Sequence, residues 1–314
     1  MLVSVLVEIE SFNEKTFTYS VPSDLESKVK IGMRVSILFG NRKIKGIIIG
    51  FVDNTEYDTK DILEVLDDEP ILNDELIRLG KIMSDIYICP LMSAYLSMLP
   101  SALKFNKNNT KIKYVTFYEK IKDLDNPSKG EKNILDLFLN KDLVNASSIK
   151  NKNILNRLVD NGILKKVLKE KYRLEDSYEK QNLKVLTESQ TNALNKIINT
   201  DKQITLLRGV TGSGKTEIYM HLIKKVLDDN KKAIVLVPEI SLTTQLINRF
   251  RGIFSSNIAV LHSSLSDGER YDEYRKIKDG KVSLVIGTRS AILSPIDNIG
   301  IIIRNFWKLL LHFF

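Results

Sequence analysis

The segment from Gly209 to Thr216 constrains the fold of this chain more than any other. It reads Gly-Val-Thr-Gly-Ser-Gly-Lys-Thr, which fits the spacing G-x-x-x-x-G-K-[S/T]. The apolar run Ile204–Leu207 before it predicts a strand, and the amphipathic run Glu217–Asp228 after it predicts a helix. In that setting the glycines let backbone N–H groups turn towards phosphate oxygens, and the helix N-terminus adds a favourable dipole. The segment therefore predicts a phosphate-binding loop for a nucleoside triphosphate.

Two side chains of this loop are the candidate catalytic residues. Lys215 is expected to bridge the β- and γ-phosphates, and the Thr216 hydroxyl is expected to ligate Mg²⁺ that arrives with the nucleotide. Upstream, the amide of Gln190 can donate and accept hydrogen bonds at once and so read adenine, although it can equally be a solvated helix position. ATP and Mg²⁺ are thus the predicted cofactors. The predicted nucleotide site comprises Gln190, Gly209, Gly212, Ser213, Gly214, Lys215 and Thr216.

From Leu183 onward, apolar runs alternate with amphipathic segments, which predicts a parallel sheet covered by helices on both faces. The blocks Val237–Thr243 and Gly287–Ala291 follow two of the strands, at the carboxyl ends where such sheets bind ligands. Their hydroxyls and arginine suit phosphates, and the alternative is that they are helix caps and turns. The predicted strands are Ile204–Leu207, Ala233–Val237, Ile258–Leu261, Val282–Ile286 and Ile299–Ile303, and the predicted helices Glu217–Asp228, Leu242–Phe250 and Gly268–Asp279.

The N-terminal region, residues 1–104, reads as β-rich and ends in helical segments. Gly40-Asn41 favours a hairpin turn, which places the cations of Arg42 and Lys43 at its tip. Helical spacing then runs from Asp74 to Leu103, with an interruption at Pro90. The predicted strands are Leu2–Ile9, Phe17–Val21, Arg34–Leu38 and Ile44–Val52.

Residues 105–180 form a second small unit in which helices precede a basic ribbon. Helical periodicity covers Gly130–Leu139 and Asn153–Asn161, and Gly162 stands where a helix would end. The strand-like segment Ile163–Arg173 that follows is rich in lysine. This order suggests a winged-helix-like module. Its lysines either contact phosphates or protect a solvated edge strand.

Composition narrows the class of protein without deciding it. The chain of 314 residues carries a net charge of +8 and a pI near 9.2, which favours an anionic partner only modestly. Cys89 is the single cysteine, so no disulfide framework and no cysteine-based zinc site is predicted within the chain. Neither a signal peptide nor an apolar run of membrane-spanning length is apparent, so we expect a soluble, cytoplasmic protein.

Taken together, these motifs resemble the primosomal protein N′ family of replication-restart helicases. The resemblance implies a 3′-end DNA-binding domain at 1–104, a winged-helix domain at 105–180 and the first RecA-like lobe of a superfamily 2 helicase at 181–303. It further implies ATP-driven 3′-to-5′ translocation, with forked or single-stranded DNA, primosome proteins and single-stranded DNA-binding protein as partners. The resemblance is carried by Leu207–Tyr219, Val237–Gln245, Leu261–Arg270, Ile286–Ala291, Gly32–Val35, Phe39–Lys43 and Leu99–Pro100.

The resemblance also assigns DNA contacts. Thr288 and Arg289 would lie along the single strand, with Thr243 as a further contact. In the N-terminal region the candidates are Arg42 and Lys43. Phe17-Thr18-Tyr19 corresponds to a Phe-Asp-Tyr in which the acid helps to hold the 3′ nucleotide, so Thr18 puts that contact in question here.

The C-terminal sequence departs from the family. Where the family continues into Asp-Glu-Glu-His, this chain has an aberrant tail, 304–314, that begins Arg-Asn-Phe-Trp. The family also has a second motor lobe that carries an arginine, and a block of cysteines that binds zinc. Neither feature appears in this sequence. We expect a frameshift or premature stop rather than a divergent terminus, and no DNA-stimulated ATP hydrolysis. The alternatives are an active helicase by family, a DNA- and nucleotide-binding fragment without turnover, and an unrelated P-loop ATPase.

Overall fold

The computed structural model of the chain describes residues 1–9, 15–105, 110–174, 178–210, 212–239, 242–255 and 257–304. Three residues of the sequence motifs, Thr211, Ile240 and Ser241, lie outside this set. So do residues 106–109 at the start of the predicted second unit, and the tail from residue 305 onward. No helix within the described ranges is long and apolar enough to cross a membrane.

The chain divides into two compact units. The smaller is Thr110–Glu175, and the larger combines Met1–Asn109 with Asp176–Phe314. The N-terminal region and the region that carries the phosphate-loop motif therefore belong to one unit, although some 65 residues separate them in the sequence. Whether the boundaries 1–104, 105–180 and 181–303 delimit separately folding domains stays a prediction.

The N-terminal region contains an antiparallel sheet of five strands in the order β2-β1-β4-β3-β5. All four predicted strands are confirmed, and β5 is an addition. The predicted hairpin is also confirmed, because Phe39 pairs with Arg42 across Gly40 and Asn41, and Gly40 has a φ of +59°. The strands are β1 (Leu2–Val7), β2 (Thr16–Ser20), β3 (Arg34–Phe39), β4 (Arg42–Val52) and β5 (Ile62–Val65).

Two helices follow this sheet, α1 (Asp74–Tyr87) and α2 (Leu91–Met98), and a short 3₁₀ turn spans Ser101–Leu103. The break predicted at Pro90 is observed, because Pro90 is the N-cap of α2. Tyr95 on α2 is fully buried, and its hydroxyl donates to the Ile77 carbonyl oxygen of α1 at 3.1 Å. The helices therefore pack on each other around a buried aromatic ring.

The smaller unit is a three-stranded antiparallel sheet, β7-β6-β8, with two helices. Gly162 has a φ of +68° just after the second helix, as predicted for a helix end. The basic ribbon is β8, but its partner is β6, which precedes the helices and was not predicted. The elements are β6 (Tyr114–Lys120), α3 (Lys129–Leu135), β7 (Leu143–Asn145), α4 (Lys152–Asp160) and β8 (Leu164–Glu170).

The C-terminal region contains a parallel sheet of four strands in the order β10-β11-β9-β12. Four of the five predicted strands and all three predicted helices are confirmed, with ends shifted by a few residues at most. The elements are α5 (Glu188–Ile198), α6 (Lys215–Asp228), β9 (Lys232–Leu236), α7 (Thr244–Phe254), β10 (Ile258–Leu261), α8 (Asp267–Lys278), β11 (Leu284–Gly287) and β12 (Ile299–Arg304).

The prediction of a strand at Ile204–Leu207 is wrong for this structure. The segment is described but pairs with none of the strands, and the side chains of Ile204 and Leu206 are 90% and 73% exposed. A strand needs a hydrogen-bonded neighbour and at least one buried face to be stable. An apolar run gains a buried face only when the segment pairs with a neighbouring strand. This segment pairs with none of the strands, so its apolar side chains stay exposed.

Helix α8 joins the two regions of the larger unit. Tyr274 is fully enclosed within the same apolar cluster as α1 and α2, and its hydroxyl donates to the Ile71 carbonyl oxygen. Lys278 Nζ donates to the Glu69 carbonyl oxygen at 3.1 Å. Burial is the main cause of a raised Tyr274 pKa and a lowered Lys278 pKa. The aromatic contact makes the N-terminal region part of the same core as α8.

Candidate nucleotide and DNA-binding sites

The backbone of the phosphate-loop motif turns through two left-handed glycines. Gly212 and Gly214 have φ values of +83° and +81°, a region that other residues rarely adopt. A Cβ atom on Gly214 would also lie 2.2 Å from Nε2 of Gln190, closer than real Cβ atoms come. Both positions therefore require glycine, and α6 begins immediately afterwards at Lys215.

Lys215 lies over the loop that precedes it. Its Nζ donates to the carbonyl oxygens of Gly209 and Val210, at 2.7 and 2.8 Å. These residues are exposed, so the ammonium group can exchange a carbonyl oxygen for another oxygen without entering the core. Thr216 is half-buried in the first turn of α6. The loop therefore presents a cation and a hydroxyl at one helix N-terminus.

Gln190 connects α5 to the loop. Its Oε1 accepts from the Thr187 backbone N–H at 2.9 Å, and its Nε2 donates to the Ser213 carbonyl oxygen at 3.1 Å. Thr187 in turn caps α5 through the backbone N–H of Gln190. The amide thus holds the loop, and reading adenine would require it to exchange at least one of these partners.

The negative charge of the acidic residue closest to the start of α6 is neutralised by an ion pair. Glu217 is buried in the first turn of this helix and pairs with Arg249 of α7. A carboxylate in this position would otherwise repel phosphate groups. With that charge neutralised, the glycine turns, the exposed loop and the helix N-terminus fit the phosphates of a nucleotide. Thr216 would share a Mg²⁺ ion with them, and the ion would neutralise charge on the phosphates.

The topology places this loop at the carboxyl edge of the parallel sheet. Helix α6 packs against β9 and β12, and residues 229–231 lead from its C-terminus directly into β9. It therefore runs antiparallel to β9, so its N-terminus points to the edge where β9 ends. The phosphate loop and the ends of the parallel strands thus share one edge of the sheet, as the sequence predicts.

The residues that follow the other strands meet at that edge. Ser263, after β10, donates through its hydroxyl to Glu239, after β9. Thr288, after β11, donates its backbone N–H to the Leu261 carbonyl oxygen at 3.1 Å. Arg289 is exposed and forms no ion pair with any of the described residues. The Thr243 hydroxyl instead caps α7 through the Leu246 N–H, which fits the helix-cap alternative for that residue.

His262 lies beside this edge and carries no assigned role. Its pKa is lowered, first by burial, although the nearby Glu269 carboxylate acts in the opposite direction. The imidazole is therefore neutral near pH 7, and it adds no positive charge to the edge.

The N-terminal region has a cavity of about 520 Å³ between β2, the β3–β4 hairpin and the segment before β5. Thr18, whose position aligns with an acid in the family resemblance, lines it. The rings of Phe17 and Phe39 lie 4.9 Å apart, edge to face, and form its apolar wall. The full lining comprises Thr16, Phe17, Thr18, Tyr19, Leu38, Phe39, Gly40, Thr55, Tyr57, Asp58, Thr59 and Lys60.

Two hydrogen bonds fix the cavity. Tyr19 donates through its hydroxyl to the Leu38 carbonyl oxygen at 3.1 Å, and Lys60 Nζ donates to the Gly40 carbonyl oxygen at 3.2 Å. The predicted DNA contacts Arg42 and Lys43 are exposed at the start of β4 but do not line the cavity, and Lys43 pairs with Glu64 at 4.0 Å.

Sequence reasoning missed Tyr57, Asp58 and Lys60. They lie on an aperiodic segment between β4 and β5, which gave no signal of secondary structure. The one available signal was an aromatic residue between two acids, Glu56-Tyr57-Asp58, because surface loops carry a large share of binding residues.

Comparisons with known proteins match both regions of the larger unit. Residues 4–100 match the family described as 3′DNA-binding domain (3′BD), and residues 187–308 match the DEAD/DEAH box helicase family. The second match covers the phosphate loop and the edge of the parallel sheet, and this helicase family uses a nucleotide and Mg²⁺.

Among individual relatives, Replication restart protein PriA of Bacillus subtilis is 33% identical, over 95% of this chain and 48% of that protein. The protein of the same name from Chlamydia muridarum is 32% identical, over 92% of this chain and 42% of its own length. That from Synechocystis is 52% identical over 100 residues, which is 32% of this chain and 12% of that protein. The chain spans about half the length of the relatives it matches from end to end, and over that span it is a PriA-like protein.

Proposed function

We propose that this chain supplies the DNA-end-binding and nucleotide-binding part of an ATP-dependent 3′-to-5′ DNA helicase of replication restart. It would bind forked or single-stranded DNA at the N-terminal cavity and ATP with Mg²⁺ at the loop around Lys215. Primosome proteins and single-stranded DNA-binding protein would be its further partners. Thr243, Thr288 and Arg289 would follow the single strand along the edge of the parallel sheet, and Arg42 and Lys43 would contact DNA near the cavity.

The observation that carries this proposal is that one compact unit contains both sites. A cavity with aromatic walls and one lysine suits a nucleotide, because a base stacks on aromatic rings and its phosphate pairs with the ammonium group. The glycine loop at the start of α6 suits the phosphates of ATP. Because α8 shares a core with the N-terminal region, the two sites belong to one packed body.

The smaller unit would add contacts of a different kind. Lys165, Lys166 and Lys169 are exposed on β8, and Lys169 also lies over the Phe117 ring at 5.9 Å. We propose that this unit is the winged-helix-like domain and that the ribbon contacts the phosphates of duplex DNA. Such contacts position a protein on DNA without reading its sequence.

A fork with a free single-stranded 3′ end is expected to bind at least about tenfold more tightly than a blunt duplex, because one stacked base and its phosphate contact supply that difference. The affinity is measured by fluorescence anisotropy at two salt concentrations, since phosphate contacts make binding salt-dependent. Phe17→Ala and Lys60→Ala are expected to remove the preference.

Lys81→Ala, which removes an exposed lysine from α1, is the matched control for Lys60→Ala and should keep the preference. Equal binding of fork and blunt duplex, without dependence on salt, would count against a restart function and in favour of an unrelated ATPase.

The second candidate is a DNA- and nucleotide-binding protein that does not turn ATP over. It is favoured by the sequence after Ile303, where Arg304 and Asn305 stand in place of the acids that the family resemblance leads one to expect. We expect no DNA-stimulated ATP hydrolysis by the purified chain, because those acids hold the metal and polarise the attacking water. Phosphate release measured with and without single-stranded DNA tests this, and DNA-dependent release that Lys215→Ala abolishes would decide for the enzyme.

A further inference from the structure

A buried ion pair lies directly beside the phosphate loop. Glu217, the third residue of α6, is buried, and its carboxylate pairs with the guanidinium group of Arg249 on α7. A Cβ atom on Gly214, the last glycine of the loop, would lie 3.9 Å from Cγ of Glu217. The acidic side chain therefore lies next to the backbone that would hold the phosphates of a nucleotide.

This acid stabilises the helix and opposes the ligand. A carboxylate in the first turn of a helix interacts favourably with the helix dipole. The phosphates of a nucleotide would use the same dipole, together with the backbone N–H groups of the loop. An uncompensated carboxylate here would repel those phosphates, and it would do so more strongly because burial reduces screening by water. The helix and the ligand can therefore both be stabilised only if a cation accompanies the acid.

Arg249 supplies that cation. Among the described residues it is the one ion-pair partner of Glu217, whose second carboxylate oxygen, Oε2, is buried without a hydrogen bond to any of them. A guanidinium group stays charged at every pH that the folded protein meets, so this compensation does not titrate away. Loss of Arg249 would leave a buried carboxylate without a counter-charge.

The position of this cation is set by tertiary packing. Met220 and Ile223 of α6 and Phe250 of α7 belong to one apolar cluster on the parallel sheet. Arg249 immediately precedes Phe250, so the burial of this ring fixes the backbone from which the guanidinium group extends. The core that holds the loop helix on the sheet therefore also places the cation beside Glu217.

We propose that Arg249 is a positioning residue of the nucleotide site, and that the net charge of the Glu217–Arg249 pair sets the affinity of the loop for a nucleoside triphosphate. The inference rests on the proposed function of nucleotide binding at the loop around Lys215. Arg249 acts through Glu217 rather than on the nucleotide, because it cancels the charge that would repel the phosphates. The pair is neutral in the original chain, negative without the arginine and positive without the acid, and the affinity follows this order of charge.

Isothermal titration of the full chain with ATP and with ADP, each in the presence of Mg²⁺, tests this order. Arg249→Met leaves the pair with one negative charge and is expected to weaken ATP binding about tenfold, the effect of one unit charge close to the phosphates. The loss should be smaller for ADP, because ADP carries less negative charge. A merely structural role of Arg249 would weaken the binding of both nucleotides to the same extent.

Further variants separate charge from packing. Glu217→Gln combined with Arg249→Met makes the pair neutral again and should restore the affinity of the original chain for ATP. Glu217→Gln alone leaves one positive charge and should bind ATP about threefold to tenfold more tightly, which tests the proposal even if Arg249→Met does not fold. Arg249→Lys keeps the charge and should bind ATP as the original chain does. The matched control is Lys224→Met, which leaves Asp228 unpaired at the far end of α6 and should not change the affinity.

The inference is overturned if Arg249→Met binds ATP as the original chain does, if the double variant binds as weakly as Arg249→Met, or if Glu217→Gln binds no more tightly than the original chain. In each case, ATP binding that the original chain shows and Lys215→Ala weakens leaves the proposed nucleotide site intact. An original chain that binds no ATP overturns the proposed function together with the inference.

Discussion

Replacing Tyr274 with alanine is expected to lower the free energy of unfolding by about 3–5 kcal/mol, the range for a buried aromatic ring. The ring fills the core shared by α8, α1 and α2, and the truncation would leave a cavity that a packed interior closes only in part. Tyr274→Phe keeps the ring and removes the hydrogen bond to the Ile71 carbonyl oxygen, so a loss of about 1 kcal/mol is expected. Urea unfolding followed by circular dichroism measures both.

Tyr87→Ala is the matched control for this pair. Tyr87 is 72% exposed at the end of α1, so its loss should change stability by less than about 0.5 kcal/mol. If Tyr274→Ala destabilises no more than Tyr87→Ala does, the N-terminal region and α8 do not share a core in solution. The two sites would then not belong to one packed body.

Replacing Lys215 with alanine is expected to weaken ATP binding about 10- to 100-fold, because its ammonium group lies over the loop at the first residue of the loop helix. The two carbonyl oxygens that Lys215 now contacts belong to exposed residues, so water can replace it. Stability should therefore change by less than about 0.5 kcal/mol. Isothermal titration with ATP and Mg²⁺ measures the affinity.

Lys224→Ala removes an equal charge from the exposed side of the same helix, where Lys224 pairs with Asp228. It should leave the affinity for ATP unchanged. An unchanged affinity in Lys215→Ala, or an equal loss in both variants, would mean that the glycine loop is not the nucleotide site.

Local patterns predicted the elements that depend on neighbours in the sequence. The hairpin at Gly40-Asn41 and the helix end at Gly162 follow from glycines whose conformations other residues rarely adopt. Each was predictable because its cause lies within about four residues.

Burial of charge was not predictable in this way. The α8 segment, Asp267–Lys278, is rich in acids and bases, yet Asp272 and Glu273 are fully buried. Asp272 pairs with Arg275 at 2.9 Å, and the Val260 N–H donates to Glu273 at 2.8 Å. The partners that make this burial tolerable come from the same helix and from β10, which adjoin α8 only in the folded chain.

The glycine turns at Gly212 and Gly214, the parallel sheet and the likeness to restart helicases were determined by the sequence alone, because glycine conformation, hydrophobic period and motif spacing are local properties. The tertiary structure decided three other matters. It left Ile204–Leu207 outside the sheet, packed the N-terminal region onto α8, and brought Tyr57, Asp58 and Lys60 to the cavity beside Thr18. Each of these depends on which distant segments meet, and contacts between distant segments are set by the packing of the whole chain rather than by any local pattern.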